Sequence, residues 1–239
     1  YNDLTDKDQI VNKDAVSMLV SLGIIEGKPD GSYAPTENVD RAQMAKMLSV
    51  IMNKGVDNSA LYQSVNSGLT DITSHWAKGH INYCYTTGII AGRGTGTFDP
   101  SATVTALEAA KMLLVAVGYD PAIEGFEGAD WAINVSVRAD EQGIFEGFTK
   151  DLSAPLNRDD AALLIYNALD VEMIQSYTTN NYPIVYSDHR TILSDKYGVI
   201  KVEGVVTANE WAILDDDTDT ALQEGKTRIY NPDGILSTT

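Results

Sequence analysis

The chain has 239 residues and a formal net charge of −17, from 34 acidic and 17 basic residues. Because binding to phosphates needs a basic face, this charge argues against nucleic acid as a partner. The single cysteine, Cys84, excludes an intrachain disulfide and is interpreted as a small buried apolar residue. No run of about 18 apolar residues occurs, so no membrane span is predicted.

The first predicted unit, residues 1–57, is a helix, a loop and a second helix. The loop, EGKPDGSYAP at 26–35, has ordinary turn chemistry. The second helix is predicted to begin at a capping box, Asp40-x-x-Gln43. In the first helix, apolar residues recur at the spacing of one buried helical face: Ala15, Met18, Leu19 and Leu22.

The second predicted unit, residues 66–120, repeats the first. Residues 88–113 align without a gap with residues 23–48. The glycine-rich loop at 92–100, GRGTGTFDP, lacks the Lys-Ser/Thr pair of a phosphate-binding loop, so no nucleotide or other cofactor is expected. Its capping box is Thr105-x-x-Glu108. The buried face of its first helix is assigned, less regularly, to Trp76, Ile81, Cys84 and Tyr85.

The third predicted unit, residues 121–172, is a shorter copy. Its core segment, residues 143–169, has lost three loop residues and keeps a weaker cap, Asn157-x-x-Asp160. One such unit of about 50 residues buries too little apolar surface to be stable alone. The three copies are therefore expected to share a core, most simply by packing their first helices together.

Residues 173–239 change character and are predicted to start a β-rich domain that continues beyond residue 239. Apolar and β-branched runs such as GVIKVEGVV, WAIL and TRIY indicate short strands. The acidic run DDDTD at 215–219 is interpreted as a solvated turn in preference to a weak calcium site. Thr220 and Lys226 occupy positions where a calcium loop has Gly and Glu.

No catalytic site or metal site is predicted. The three histidines, His75, His80 and His189, lack metal-ligand spacing. No nucleophile–base pair and no convincing pair of acid and base carboxylates is evident. The sequence therefore favours a chain that is not an enzyme.

The repeated motifs resemble those of the S-layer homology (SLH) domain, over roughly residues 8 to 172. The second unit carries them most fully: Asp71-x-x-x-His75-Trp76-Ala77, GIIAG at 88–92, GTFDP at 96–100 and KML at 111–113. The resemblance implies a mainly α fold, with three helix-loop-helix repeats in a pseudo-threefold arrangement around a central three-helix bundle. It also implies a secreted protein held to the cell wall by secondary wall polysaccharide, often through a pyruvylated sugar, in grooves between adjacent repeats.

Carried over residue by residue, the resemblance assigns glycan binding to Arg41, Arg158, Trp76, Trp131 and Asp71. Arginine at a helix N-terminus suits a sugar carboxylate, and tryptophan can stack on a sugar face. The match is incomplete, since Ala106 and Val11 occupy the third Arg and third Trp positions. We therefore expect at most two working grooves.

Other interpretations stay open at this level. The arginines could be solvated first-turn residues, the tryptophans core residues, and Asp71 a helix cap. The module could also mediate protein–protein assembly, including S-layer self-assembly through other regions, or tether a surface enzyme whose catalytic part lies elsewhere.

Overall fold

A computed structural model describes residues 3–202, 204–211, 222–230 and 237–238, and the chain is mainly helical. The described residues form seven α-helices: α1 Lys13–Ser21, α2 Arg41–Met52, α3 Lys78–Thr86, α4 Ala106–Val117, α5 Trp131–Glu141, α6 Arg158–Leu169 and α7 Ile192–Tyr197. They also form five short strands: β1 Ile174–Tyr177, β2 Pro183–Val185, β3 Val205–Asn209, β4 Thr227–Tyr230 and β5 Ser237–Thr238. Within these residues, no helix combines the length and apolarity needed to cross a bilayer.

The second helix of each repeat begins where the sequence predicts. Both capping boxes are present, with Gln43 N donating to Asp40 Oδ1 and the side chain of Gln43 accepting from Asp40 N. The same reciprocal bonds link Thr105 and Glu108. The third cap is one-sided, as expected, with Asn157 accepting from the backbone of the third helical residue. These side chains satisfy amides that the first helical turn leaves unpaired.

The first helix of each repeat ends before a glycine in the left-handed conformation. Gly23 follows α1 with φ of +71°, and Gly88 follows α3 with φ of +78°. This backbone is accessible to glycine with little strain, and it turns the chain into the loop.

Each first helix packs against the second helix of a different repeat. Helix α3 lies on α2, helix α5 on α4, and helix α1 on α6. The first helices therefore do not pack together as expected. Each first helix instead packs on the second helix of another repeat, and the three pairings form a closed cycle. Contacts of α4 with both α2 and α6 join the second helices. One continuous apolar core results, in which Leu48, Leu113 and Ile165 are almost completely buried.

A ring of three backbone hydrogen bonds ties the repeats at the start of their second helices. Val39 N donates to Leu156 O at 2.8 Å, Leu156 N to Val104 O at 2.8 Å, and Val104 N to Val39 O at 2.9 Å. These residues hold the same position in the three repeats. Because each buried amide is satisfied by another repeat, no repeat completes this ring alone.

The compact helical unit extends to Gly198 and includes more than the three repeats. The antiparallel hairpin β1–β2 and helix α7 belong to it, with α7 packing against α2 and α6. Tyr197 on α7 donates its hydroxyl to Ile51 O at 3.3 Å. Residues 173–198, predicted from the sequence to start the β-rich segment, instead pack with the helices.

The second compact unit, Val199–Thr239, contains an antiparallel sheet in the order β3-β4-β5. The predicted strand TRIY is confirmed as β4, and the predicted run GVIKVEGVV contributes the start of β3. Of the run WAIL, only Trp211 is described. The acidic run at 215–219 lies outside the described residues, so its interpretation as a turn stays a prediction.

Candidate functional site

Two open grooves lie where three repeats meet. The first groove, about 480 Å³, is lined by the loop at 24–29 and helix α2 of the first repeat, with Trp76 and Arg158 from the other two repeats. The second groove, about 640 Å³, is lined by the loop at 89–94 and helix α4 of the second repeat, with Trp131 and Arg41 from the other two. The predicted residues are thus grouped as Arg158 with Trp76 and as Arg41 with Trp131.

The two grooves are copies of one another by repeat position. Equivalent lysines line them, Lys46 in the first and Lys111 in the second. Equivalent methionines, Met47 and Met112, follow these lysines on the same helices. The local geometry of one repeat boundary is therefore reproduced at the next.

Arg158, the first residue of α6, is held against the first repeat by its guanidinium. Its Nε donates to Tyr33 O at 2.7 Å and its Nη2 to Glu26 O at 3.1 Å. The guanidinium carbon lies 4.7 Å from the centre of the Tyr33 ring. Burial raises the pKa of the Tyr33 hydroxyl, which is protonated and donates to Arg158 O at 2.8 Å. Arg158 thus ties the start of α6 to the loop that lines the first groove.

Arg41, the first residue of α2, makes the same contacts with the second repeat and is more deeply buried. Its Nε donates to Phe98 O at 2.9 Å and its Nη2 to Ala91 O at 2.8 Å. Its guanidinium carbon lies 4.3 Å from the Phe98 ring centre. Burial, with a contribution from the nearby Arg93, lowers the pKa of Arg41 to about 10, so the side chain stays cationic at neutral pH. Only 4% of Arg41 is exposed.

These contacts revise the interpretation of both arginines. Neither is a solvated first-turn residue, because each satisfies two carbonyl groups of the neighbouring loop. Each therefore has a structural role whatever it binds, and a substitution at either position changes the groove walls as well as the charge.

The lysines are the more available cations. Lys46 Nζ lies 3.6 Å from Glu26, whose side chain is 74% exposed. Lys111 Nζ lies 5.7 Å from the centre of the Trp131 ring. Burial lowers the pKa of Lys111, and the charge of Glu127 opposes that shift. Neither lysine was among the predicted site residues, and the signal that could have identified them is the repeated KML motif at 46–48 and 111–113.

The two tryptophans differ in exposure. Trp76 is 56% exposed, so its assignment to a buried helix face is wrong. Its ring lies 5.6 Å from His75 and 6.3 Å from His80, between ring centres. Trp131 is half-buried and packs against the core at the start of α5. Both rings line their grooves, where a flat apolar surface beside a cation suits a sugar ring.

Asp71 has a different role from the one assigned to it. Its carboxylate accepts hydrogen bonds from Phe98 N at 2.9 Å and from Asp99 N at 2.6 Å. Burial raises its pKa, but these bonds outweigh burial and leave the pKa below its usual value. Asp6 accepts equivalent bonds in the first repeat. Asp71 lines neither groove and instead fixes the loop that Arg41 contacts.

The third junction, where α4 of the second repeat meets the loop of the third, lacks these features. Ala106 replaces the arginine, and Ser153 stands at the aromatic position of the aligned loop motif. Leu163 stands at the lysine position and the exposed Val11 at the tryptophan position. The backbone contact also changes, with Leu107 N donating to Leu152 O at 3.1 Å.

A serine–histidine–aspartate contact lies between α2 and α3, away from the grooves. Ser49 Oγ is 2.6 Å from His80 Nδ1, and His80 Nε2 is 3.6 Å from Asp57. Ser49 and His80 are 5% and 4% exposed, so the hydroxyl is closed to a substrate. Cys84 is also completely buried, and burial raises its pKa, which keeps the thiol protonated. The described residues contain no group of three or more His, Cys, Asp or Glu side chains placed to hold a metal ion.

Comparison with known proteins gives consistent matches. The family model of the S-layer homology domain matches residues 1–45 and 68–110. A cell surface protein of Thermoanaerobacter kivui is 27% identical over 234 residues, 97% of this chain and 28% of that protein. An S-layer protein of Bacillus licheniformis is 32% identical over 113 residues, 47% of this chain and 12% of that protein. An amylopullulanase of Thermoanaerobacterium thermosulfurigenes is 30% identical over 185 residues, 71% of this chain and 9% of that protein.

The chain spans less than a third of the length of each of these relatives. Two of them are named as surface proteins, and the third bears the name of an enzyme. The segments matched by the family model contain the loops that line the two grooves, residues 24–29 and 89–94. Residues 1–45 and 68–110 therefore match the S-layer homology domain, and the chain is similar to proteins named as cell-surface and S-layer proteins.

Proposed function

We propose that the chain anchors a secreted surface protein to the cell wall by binding an anionic wall polysaccharide in the two grooves, without a covalent bond. The observation that carries the proposal is the repetition of one site. Each groove combines a loop and a lysine from one repeat, an arginine from another and a tryptophan from the remaining one. A pyruvylated sugar, which adds a carboxylate to an apolar ring face, matches this chemistry.

The electrostatics support local capture of an anion by an acidic protein. The chain carries a net charge of −17, yet basic side chains outnumber acidic ones in both grooves. Lys46 and Lys111 each place a cation beside an aromatic ring, where it can donate hydrogen bonds to a sugar carboxylate or hydroxyl. The surrounding negative charge would disfavour nonspecific association with other polyanions.

The test is co-sedimentation with cell-wall sacculi of Thermoanaerobacter kivui, with the polysaccharide retained or stripped. The informative variant is Lys46→Ala/Trp76→Ala combined with Lys111→Ala, because these side chains are not hydrogen-bonded to the loops. We expect the unmodified chain to sediment only with unstripped walls. The triple variant should lose at least about tenfold in affinity, since each charge-assisted contact contributes on the order of 1–3 kcal/mol.

A matched control replaces an exposed lysine and an exposed tryptophan outside the grooves. Lys13→Ala/Trp211→Ala removes the same residue types, and Trp211 is 85% exposed. This control should sediment like the unmodified chain. Equal binding by the triple variant and the control would overturn the assignment of the grooves, and sedimentation with stripped walls would overturn the polysaccharide as the ligand.

A second candidate function is the tether of a surface enzyme. The observation that favours it is the match of 71% of this chain to the amylopullulanase of Thermoanaerobacterium thermosulfurigenes. In that case the wall-binding step is the same and catalysis belongs to other parts of the protein. Assay of the full-length protein for glycan hydrolysis, with and without wall attachment, distinguishes the two.

A further inference from the structure

One position at the edge of each groove has the same local bonding but a different charge. Gln43 and Glu108 are the third residues of α2 and α4, and each side chain closes a capping box. Gln43 Oε1 accepts from Asp40 N at 2.9 Å, and Glu108 Oε2 accepts from Thr105 N at 3.1 Å. In both side chains one terminal oxygen is bonded to the helix cap. The two side chains therefore differ only in the chemistry of their second terminal atom.

That second atom is a donor in the first groove and an acceptor in the second. Gln43 Nε2 has no hydrogen-bond partner within the part of the chain that the structure describes, and its side chain lines the first groove. Glu108 Oε1 accepts from Arg93 Nη1 at 3.2 Å. The first groove therefore offers an amide donor where the second offers a carboxylate that already engages a cation.

The charged linings differ in the same sense. Each groove is lined by three basic side chains, but one acidic side chain lines the first and two line the second. In the first groove they are Lys28, Lys46, Arg158 and Glu26, and in the second Arg41, Arg93, Lys111, Glu108 and Glu127.

Cations are engaged in both grooves, since in the first Lys28 pairs with Glu37 and Arg158 donates to two carbonyl groups. In the second, Arg93 is paired with Glu108, and Arg41 is buried against two carbonyl groups. Lys111 Nζ lies 5.7 Å from the centre of the Trp131 ring, and the charge of Glu127 opposes the lowering of its pKa by burial. In the first groove, Lys46 has only the exposed Glu26 at 3.6 Å as an ionic partner among the described residues. An incoming carboxylate can replace such a loosely held partner at little cost.

We propose that the first groove selects a carboxylate-bearing sugar residue and the second an uncharged sugar residue of the same wall polysaccharide, with Gln43 and Glu108 setting the difference. This inference rests on the proposed function. A carboxylate beside Gln43 gains a hydrogen bond from Nε2, whereas beside Glu108 it meets a like charge. An uncharged sugar loses nothing near Glu108 and can donate a hydroxyl to it.

The test measures binding of polysaccharide released from Thermoanaerobacter kivui walls, either native or with its carboxylates chemically reduced to alcohols. Calorimetry would use the full chain with one groove weakened at a time. In Lys111→Ala only the first groove is intact. The affinity of this variant for the polysaccharide should fall roughly tenfold when the carboxylates are reduced. In Lys46→Ala only the second groove is intact. The affinity of this variant should change by less than about twofold on the same reduction.

The swap variants test the two residues themselves. Gln43→Glu, made together with Lys111→Ala, should abolish most of the preference for native polysaccharide. Glu108→Gln, made together with Lys46→Ala, should create a preference for it. Both changes keep an oxygen that can close the capping box, so folding is preserved. The readout is the ratio of the affinities for native and for carboxyl-reduced polysaccharide. A structural change that weakens both affinities equally would therefore cancel.

The outcomes separate this inference from the proposed function. No binding of native polysaccharide by the unmodified chain would count against the proposed function. Binding that responds equally to carboxyl reduction in both grooves, or a ratio that ignores both swaps, would overturn the inference and leave the anchoring function standing.

Discussion

The two groove-forming junctions and the third junction are built from the same repeat, yet they differ at several positions at once. Where Arg41 and Arg158 lie over aromatic rings, the third junction has Ala106 and Ser153 instead. Arginine and ring are lost together, and so are the groove lysine and tryptophan. An unpaired buried arginine would be costly, so the loss of one partner favours the loss of the other.

The comparison also separates two tasks within one repeat. The ring of hydrogen bonds among Val39, Val104 and Leu156 is complete at all three junctions. Assembly of the repeats thus depends on backbone bonding and the apolar core, which every repeat supplies. The proposed ligand binding depends on side chains that only two junctions keep. The third junction can serve as an internal control for each of the predictions below.

The largest expected effect is the loss of stability in Arg41→Ala. This change removes a buried cation and leaves the carbonyl groups of Phe98 and Ala91 unpaired, at a cost of about 3 kcal/mol in the free energy of unfolding. Arg93→Ala, at an exposed ion pair, should cost under about 1 kcal/mol. Denaturant unfolding of both variants checks this. Equal small losses would mean that solvent satisfies the carbonyl groups as well as Arg41 does.

The reverse substitution, Ala106→Arg, should destabilise the protein by about 2 kcal/mol. Ala106 is completely buried, and Ser153 provides no ring for the guanidinium. Ala106→Ser, a small change at the same site, should cost less than half as much in a parallel unfolding measurement. An Ala106→Arg variant with an unchanged free energy of unfolding would contradict this prediction. It would show that the third junction can accommodate a guanidinium without an aromatic ring.

A smaller effect is expected from Asp71→Asn, at about 1.5 kcal/mol, because the charge-assisted bonds to Phe98 N and Asp99 N are weakened. The pKa of Asp71 is lowered in the folded state, so its contribution is present above the unfolded pKa near 3.8 and is lost as the pH falls further. Unfolding measured from pH 7 to pH 2 should therefore show the two proteins converging below about pH 4. A constant difference down to pH 2 would exclude the carboxylate charge as the cause.

Much of this architecture could be predicted from the sequence. The helix starts were predictable because capping is local, and Asp40 and Gln43 lie within one helical turn. The grouping of Arg158 with Trp76 across 82 positions was not, because it depends on which repeat exchanges helices with which. Spacing along the chain carries no information on that exchange.

The role of Asp71 shows a second limit. An acidic residue that follows a linker is equally compatible with a helix cap, a ligand or a loop anchor, and only the positions of Phe98 N and Asp99 N decide among them. In the same way, the KML motif reads as helix interior until the structure places Lys46 and Lys111 at a groove. Amphipathic spacing does not distinguish a lysine at a surface from one at a site.

The smallest effect concerns the helix pairs themselves. Ser49 and His80 form a buried hydrogen bond between α2 and α3. In the next helix pair, α4 and α5, the equivalent positions hold the apolar residues Leu114 and Val135. Burial lowers the pKa of His80, against opposition from Asp57 and with help from Lys46, so its stabilising contribution is complete above the unfolded pKa near 6.5 and falls as the pH drops below it. Stability should decline by about 1 kcal/mol between pH 7 and pH 5. Ser49→Leu/His80→Val, which copies the apolar pair, should flatten that decline in thermal unfolding, and an unchanged decline would assign it to other groups.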